Sequence, residues 1–424
     1  MSYPFYRPEI ALAPVGESTP VLPVAMISSL KGGGTPKGAE ENWGGDVPFI
    51  TPVELSGLDG GAVDHWARTV TETGASTGSS TIPSGVIVSC RAPVGHVGTV
   101  QEVVAFNQGC KGIELSDERD ARYLAYCLVA ARSSMTLLAN GTTFLEITGR
   151  AMGSVRVPWP ETQVRKRIAD YLDRETAQID GMMAELDELV RTLDVRRVEA
   201  VAQAVHLAEP DEELPTGWVR MPMKYAVLES FTGEWGNDLG VGEVDVRCVR
   251  VADFDRATRT VGQDEIPTIR SLPASKAAAK ALRPNDLLVE RSGGTAVNPV
   301  GNVVLYVGPA GAVSSNFIEC VRVDSAHHDP RYWWLLQYAA YRTGFTHMHV
   351  RQTTGIQNLD ARGFFSEPMP VPSLSEQRRV VAELEDSLAR VDAMLADARR
   401  LKDLLIERRS ALISEVITGK KEAA

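Results

Sequence analysis

Two stretches of the chain place apolar residues at intervals of three, four and seven, with charged side chains filling the gaps. In the first, Ile168, Leu172, Ile179, Met183, Leu186, Val190, Leu193, Val201 and Val205 predict an amphipathic helix over about 161–206. In the second, Val380, Leu384, Leu388, Val391, Leu395, Leu401, Leu405, Leu412 and Val416 predict another over about 374–417. Gly181 is the sole helix-breaking residue inside the first, and the second contains neither Gly nor Pro. Prolines precede both, Pro210 and Pro215 follow the first, and Gly419 follows the second. At 1.5 Å per residue each helix reaches ~65 Å, far beyond an ordinary globular helix. Sparse matched stripes of this length predict a coiled-coil pair within one chain.

The two helices are copies. At an offset of 212, Leu172 falls on Leu384, Ile179-Asp180 on Val391-Asp392, Leu189 on Leu401, Leu193 on Leu405 and Arg196-Arg197 on Arg408-Arg409. The approaches match too: Val-Pro-Trp-Pro-Glu-Thr-Gln at 157–163 and Val-Pro-Ser-Leu-Ser-Glu-Gln at 371–377. A repeat of half the chain fixes the architecture before any motif is read.

Between the helices the pattern changes to short apolar runs bounded by turn residues, as in Gly85-Val-Ile-Val-Ser89, Leu287-Leu-Val-Glu290 and Asn302-Val-Val-Leu-Tyr306. Each segment also has one helical stretch, 120–138 in the first and 330–343 in the second. An order recurs in both: an aliphatic run leading to Arg91 or Arg291, a Gly-rich turn, an Asn beside a Phe (Phe106-Asn107, Asn316-Phe317), the helix, then Gly141-Thr-Thr143 or Gln352-Thr-Thr354. The expected fold class is therefore α+β, with two globular segments alternating with two long helices.

The formal charge is −11, and its excess is confined to the first half. Residues 1–150 carry 10 basic against 15 acidic side chains and 151–214 carry 8 against 14, whereas 215–424 are balanced. Such a balance excludes purely electrostatic binding to nucleic acid, which depends on Lys and Arg neutralising phosphates. The five cysteines, Cys90, Cys110, Cys127, Cys248 and Cys320, are scattered and never form a C-x-x-C pair, which predicts neither a disulfide framework nor a zinc knuckle. No apolar run approaches the ~18–20 residues of a membrane helix, so a cytoplasmic protein without membrane contact is expected.

Catalytic signatures are weak. Gly32-Gly-Gly-Thr-Pro36, with Lys37 beside it, lacks the spacing of a phosphate loop and reads as a turn. Asn298-Pro299-Val300 lacks the aromatic and the glycine-rich cofactor loop of an amino-methyltransferase. Asp286 and Glu290 flank a strand as in a metal nuclease, but Arg291 stands where a catalytic Lys would follow. His327-His328 and His347-x-His349 have no Cys at ligand spacing, so no metal site is expected. Trp43 and Trp235 read as packing residues.

Several segments carry a family resemblance. Lys31-Gly-Gly-Gly-Thr-Pro36 with Trp43-x-Gly45-x-Val47-Pro-Phe-Ile-Thr51, the Ser89-Cys-Arg91 turn with Gly95 and Gly98, Asn107-Gln-Gly109, and Leu374-Ser-Glu-Gln377-Arg-Arg379 resemble the specificity subunit of type I restriction-modification systems. The second domain departs at its opening, reading Glu229-Ser-Phe-Thr-Gly-Glu-Trp235, and the first spacer has Glu161-Thr-Gln163 where the second has Ser375-Glu-Gln377. The resemblance implies a target recognition domain at 1–158, a helical spacer at 159–208, a second recognition domain at 209–370 and a second spacer at 371–424, in pseudo-twofold repeat with the helices as an antiparallel coiled coil.

It also implies a non-catalytic subunit in which each domain reads half of a bipartite double-stranded DNA site. Two adenine methyltransferase subunits and restriction/translocase subunits would dock on the helices. S-adenosylmethionine, ATP and Mg would belong to those partners, with no cofactor in this chain. The candidate DNA contacts are Lys31, Thr35, Lys37, Arg91, Asn107, Thr142 and Thr143 in the first domain and Arg291, Asn316, Arg351, Gln352, Thr353 and Thr354 in the second. Met182, Met183, Leu186, Met394 and Leu401 are the candidate partner contacts on the helices. A coiled-coil adaptor that reads no DNA is the alternative, as is an enzyme with an unrecognised site.

Overall fold

The computed structural model describes residues 19–36, 40–115, 117–139, 145–207, 213–295, 297–353 and 355–423. Two compact units divide the chain: Met1–Glu185 with Leu401–Ala424, and Leu186–Arg400. Each combines sheets, short helices and part of both long helices, so the fold class is α+β. The long helices are Thr162–Ala204 and Leu374–Ile417. Among the described residues no helix is long and apolar enough to cross a membrane, and all five cysteines are buried and unpaired.

In the first unit, an antiparallel sheet orders Ser28–Gly32, Cys110–Leu115, Gly85–Ser89 and Val97–Val100. The run at Gly85–Ser89 reads as continuously apolar because every residue in it is buried. A second sheet orders Thr69–Val70, Trp43–Ile50, Val104–Phe106 and Ser80–Ile82, with Phe49 and Ala105 paired in parallel. Ile50, Leu55, Ile82, Ile87, Val100 and Phe106 form the core where the two sheets meet. The helical stretch expected at 120–138 divides at Ala131, which leaves helical geometry, into Ala121–Ala130 and Arg132–Leu138.

In the second unit, five strands order Val227–Thr232, Ile318–Val323, Leu287–Glu290, Val303–Tyr306 and Thr260–Val261. A three-stranded sheet of Ile269–Leu272, Val244–Val249 and Val313–Ser314 accompanies them. The amphipathic helix Pro330–Arg342 turns Tyr332, Trp333, Leu335 and Leu336 into a core shared with Leu287, Val303 and Val321 and with Val201, Val205, Val380 and Leu384 of the long helices.

Where the long helices begin, the same anchors occur in both units. Tyr123 Oη donates to the Pro158 carbonyl at 3.0 Å, and Tyr332 Oη donates to that of Pro370 at 2.8 Å. Buried Arg165 grips Asp120 through two bonds, Nε–Oδ1 at 2.8 Å and Nη2–Oδ2 at 2.6 Å, donates to the Pro160 carbonyl at 2.5 Å and lies over the Trp159 ring. The equivalent Gln377 accepts from the Asp329 amide at 2.8 Å and donates to the Pro372 carbonyl at 3.0 Å. The differing motifs at 161–163 and 375–377 thus converge on one task.

The helices within each unit are also joined by matching ion pairs. In the first unit Arg409 Nε meets Asp180 Oδ1 at 2.9 Å, and in the second Arg197 Nη1 meets Asp392 Oδ1 at 3.0 Å. Under the 212 offset these are the same two positions with donor and acceptor exchanged between helices. Ile168, Leu172, Ile179, Leu384, Leu395 and Leu412 of the apolar stripes are buried, whereas Leu189 and Leu401, which are equivalent, are both exposed.

Removing one partner of the buried Arg165–Asp120 pair leaves an uncompensated charge. Asp120→Ala is expected to destabilise the first unit by about 3–5 kcal/mol, read from the denaturant midpoint of its unfolding transition. A loss under about 1 kcal/mol would contradict the anchoring role.

Candidate functional site

In each unit three chain segments cross at one end of the central sheet. In the first, Gly33 N donates to the Cys110 carbonyl at 3.2 Å, Gly34 N to Phe106 at 3.0 Å and Cys90 N to Gly109 at 2.7 Å. In the second, Gly233 N donates to Ile318 at 3.0 Å, Glu234 N to Ser314 at 2.8 Å and Arg291 N to Phe317 at 2.8 Å. The approach is too close for a side chain: a Cβ on Gly33 would sit 1.8 Å from the Asn107 oxygen, and one on Gly233 would sit 2.2 Å from that of Ser314. The second domain therefore keeps the glycine of the opening while replacing its surroundings.

This ladder gives a register that the sequence pattern missed by one residue. Arg91 bridges to Glu146 and Ser292 bridges to Asn358 in the same way, so Ser292, not Arg291, occupies the place of Arg91. Likewise Asn107 N donates to Ile50 and Ser315 N donates to Val249, so Ser315 rather than Asn316 stands where Asn107 does. Identical residue types one position apart drew the alignment off, and in a strand a one-residue slip reverses the face presented.

The first-domain candidates that the structure describes each have a bonded partner. Lys31 Nζ meets Glu114 Oε2 at 2.9 Å, Thr35 Oγ1 donates to Gln108 Oε1 at 2.6 Å, and Arg91 Nε meets Glu146 Oε2 at 3.0 Å. Thr35, Arg91 and Asn107 adjoin the crossing residues Gly34, Cys90 and Phe106 in sequence, and Lys31 lies two residues before Gly33. Asn107 Oδ1 accepts from the Gly109 amide at 2.9 Å, which is turn chemistry. Lys37, Thr142 and Thr143 lie outside the described residues.

In the second domain, Arg291 bonds Thr232 Oγ1 and lies 3.3 Å from Glu319 Oε2. Asn316 is exposed on the turn after Val313–Ser314. The hairpin of Val350–Thr353 and Ile356–Leu359 carries Arg351, Gln352 and the backbone of Thr353, and Ser292 Oγ meets Asn358 Oδ1 at 2.7 Å to tie it to the crossing. Arg351 Nη2 pairs with Asp360 Oδ2 at 2.6 Å, and Gln352 is exposed. Thr354 lies outside the described residues, as does the side chain of Thr353. On the helices Met182, Met394 and Leu401 are exposed, while Met183 and Leu186 are half-buried.

Asp286 and Glu290, paired in the sequence as nuclease candidates, have separate fates. Asp286 is buried and held by Arg322 through Nε–Oδ1 at 2.8 Å and Nη2–Oδ2 at 2.7 Å. Glu290 instead lines a pocket of about 570 Å³ with Trp235, Arg250, Ser292, Ser315, Asn316 and Phe317. Its Oε2 is buried with no hydrogen-bond partner among the described residues, and so is the Ser315 hydroxyl. Burial pushes the Glu290 carboxyl up to about 7. Trp43 packs edge-on against Phe49 at 5.0 Å as expected, whereas Trp235 stands exposed at the pocket mouth with Arg270 over its ring. The signal available in the sequence was an acid closing an otherwise apolar strand, Leu287-Leu-Val-Glu290. Among the described residues, no three or more His, Cys, Asp or Glu are placed to hold a metal ion.

The raised Glu290 pKa has a definite sign. The folded carboxyl holds its proton more tightly than the unfolded one, so its ionisation costs stability as pH rises from about 4.5 through about 7. Glu290→Gln removes that dependence, and its stability relative to the unaltered chain is expected to rise by on the order of 2 kcal/mol between pH 5 and pH 8. Denaturant titrations at the two pH values read the difference, and a constant difference would show that the group is solvated.

Known proteins resemble this chain over parts of its length. Residues 24–191 match the type I restriction modification DNA specificity domain. The MjaIX specificity subunit of Methanocaldococcus jannaschii is 29% identical over 206 residues, 45% of this chain and 48% of that protein. The StySPI specificity subunit of Salmonella potsdam is 23% identical over 269 residues, 62% of this chain and 57% of that protein. The chain thus spans about half the length of the curated relatives it matches. A solved chain from work on complex assembly and conformational transition of the type I R-M system covers 96% of this chain and 100% of its own, with a TM-score of 0.66 at 17% identity, a likeness of fold. Over residues 24–191 the chain thus matches the DNA specificity domain of type I restriction-modification systems, as the sequence resemblance implied.

Proposed function

We propose that this chain is the sequence-reading subunit of a type I restriction-modification complex. Residues 1–158 and 209–370 act as two target recognition domains, each reading one half of a bipartite double-stranded DNA site. The spacers at 159–208 and 371–424 pair as an antiparallel coiled coil, dock two adenine methyltransferase subunits and the restriction/translocase subunits, and set the distance between half-sites. Readers facing one side of B-DNA need a separation of about one helical turn, ~34 Å. The chain itself performs no catalysis, and S-adenosylmethionine, ATP and Mg bind to its partners.

One observation carries this reading: the anchoring contacts recur in both units while the crossing segments differ. Tyr123 and Tyr332, Arg165 and Gln377, and Asp180–Arg409 and Arg197–Asp392 preserve a common frame. On that frame the first unit closes Thr35 onto Gln108, where the second presents Trp235 and Asn316 at a pocket. A constant frame with divergent loops is what two readers of different base sequences require. Exposed Met182, Met394 and Leu401 give the partner subunits adaptable apolar contacts, and basic surfaces on those partners offset the acidic balance of this chain.

Replacing residues 1–158 by the corresponding segment of another specificity subunit tests the modular reading. Mapping of methylated adenines in cells carrying the hybrid is expected to show one half of the recognised sequence changed and the other retained. Change in both halves would overturn it.

A further inference from the structure

The pocket beside Glu290 contains polar groups that the fold does not use. Glu290 is only 5% exposed and Ser315 2% exposed, yet the carboxyl Oε2 and the serine hydroxyl have no hydrogen-bond partner among the described residues. A buried polar atom left unpaired costs on the order of 1–3 kcal/mol, and both residues that carry these atoms belong to the lining of one pocket. Trp235 at 39% and Phe317 at 49% exposure supply aromatic faces at the same opening. Arg250, also in the lining, is held by Asp253 with Nη2–Oδ1 at 2.7 Å. At about 570 Å³ the pocket lies within the usual range of small-ligand sites, about 300–1,000 Å³.

The first unit shows that the architecture does not demand this arrangement. By strand register Ser89 occupies the position of Glu290, since Ser89 pairs with Cys110 as Glu290 pairs with Ile318. Ser89 Oγ is fully engaged, donating to the Pro93 carbonyl and accepting from the His96 amide, both at 2.8 Å. Gly109, equivalent to Phe317, packs so tightly that a Cβ would come within 2.9 Å of Pro52. The acid, the aromatic ring and the space between them are particular to the second domain.

We propose that this pocket holds a single nucleobase, adenine or cytosine, with Glu290 and Ser315 bonding its polar edge and Trp235 and Phe317 covering its faces. The inference rests on the DNA-reading function proposed above and takes it further: one base of the second half-site leaves its stack to be read in the pocket. Adenine and cytosine both place an N–H donor beside a ring-nitrogen acceptor. A protonated carboxyl, which burial favours near neutrality, offers the complementary acceptor and donor together. Thymine has no exocyclic amine to give. Stacking on exposed aromatic rings contributes to holding an unstacked base.

The test uses the full chain assembled with its methylation subunits and a duplex of the recognised sequence, with 2-aminopurine placed in turn at each position of the second half-site. One position other than the methylated adenine is expected to brighten several-fold on binding and to return to the stacked level with Glu290→Ala or Phe317→Ala. The near-isosteric Glu290→Gln, which guards against misfolding, is expected to keep binding but to change the base preferred at that position. Specific binding with no such bright position, or with brightening unaffected by all three variants, overturns the pocket and leaves DNA reading intact. Binding no tighter than to a scrambled duplex defeats DNA reading itself. In that case saturation-transfer NMR of the full chain with dAMP, dCMP and dTMP decides: contact with dAMP or dCMP that Glu290→Ala abolishes assigns the pocket to free nucleotides, and contact with none, or equal contact with dTMP, overturns it.

Discussion

The start of a long helix leaves backbone donors without partners, and its direction is undetermined until something fixes it. Here the fixing is done by one buried polar side chain on the first turn, Arg165 in one unit and Gln377 in the other, bonded to the carbonyl of the proline just ahead of the helix and to an Asp beside the short helix of the sheet domain. A satisfied buried network of this kind admits one geometry, because any tilt leaves charges or amides unpaired in a low-dielectric interior. Tyr123 and Tyr332 close the same junctions from the domain side. The position of every crossing segment in a unit is thereby referred to the helix that leaves it.

That rigidity explains how surface segments differ while the frame is kept. The first unit fills its crossing with Thr35–Gln108, Pro52 and a fully bonded Ser89. The second leaves a pocket lined by Glu290, whose Oε2 has no hydrogen-bond partner among the described residues, and by Ser315, whose hydroxyl likewise has none. An unpaired buried acid is a local violation of good packing, and such violations concentrate where a protein does its work. The ion pairs of the long helices, Asp180–Arg409 and Arg197–Asp392, reuse the same two positions, so a duplicated sequence meets its own complement without new invention.

The long helices were legible because forty or so residues of periodic pattern leave little room for another structure. Of their stripes, Leu172 and Leu384 are buried, whereas Leu401, which the sequence also offers as a partner contact, is exposed. Apolar identity alone does not say whether a residue faces its helix partner or a surface kept for something else. The buried strands Gly85–Ser89 and Leu287–Glu290 were visible as apolar runs between turns. The site was less legible. Matching Arg91 to Arg291 and Asn107 to Asn316 followed residue type, whereas the ladder pairs Arg91 with Ser292 and Asn107 with Ser315. The pocket escaped notice because its parts, Trp235, Glu290, Ser315 and Phe317, come from three distant segments and share no motif.

The most direct measurement of the central claim is single-molecule mapping of modified bases in DNA from cells expressing this chain with the methylation subunit proposed as its partner, against cells lacking only this chain. A split motif carrying N6-methyladenine that vanishes without the chain is the predicted result, and it reads out both half-sites and their spacing at once. Methylation at the same sites without the chain, or none in its presence despite an active methylation subunit, would contradict the account and favour a coiled-coil adaptor that reads no DNA.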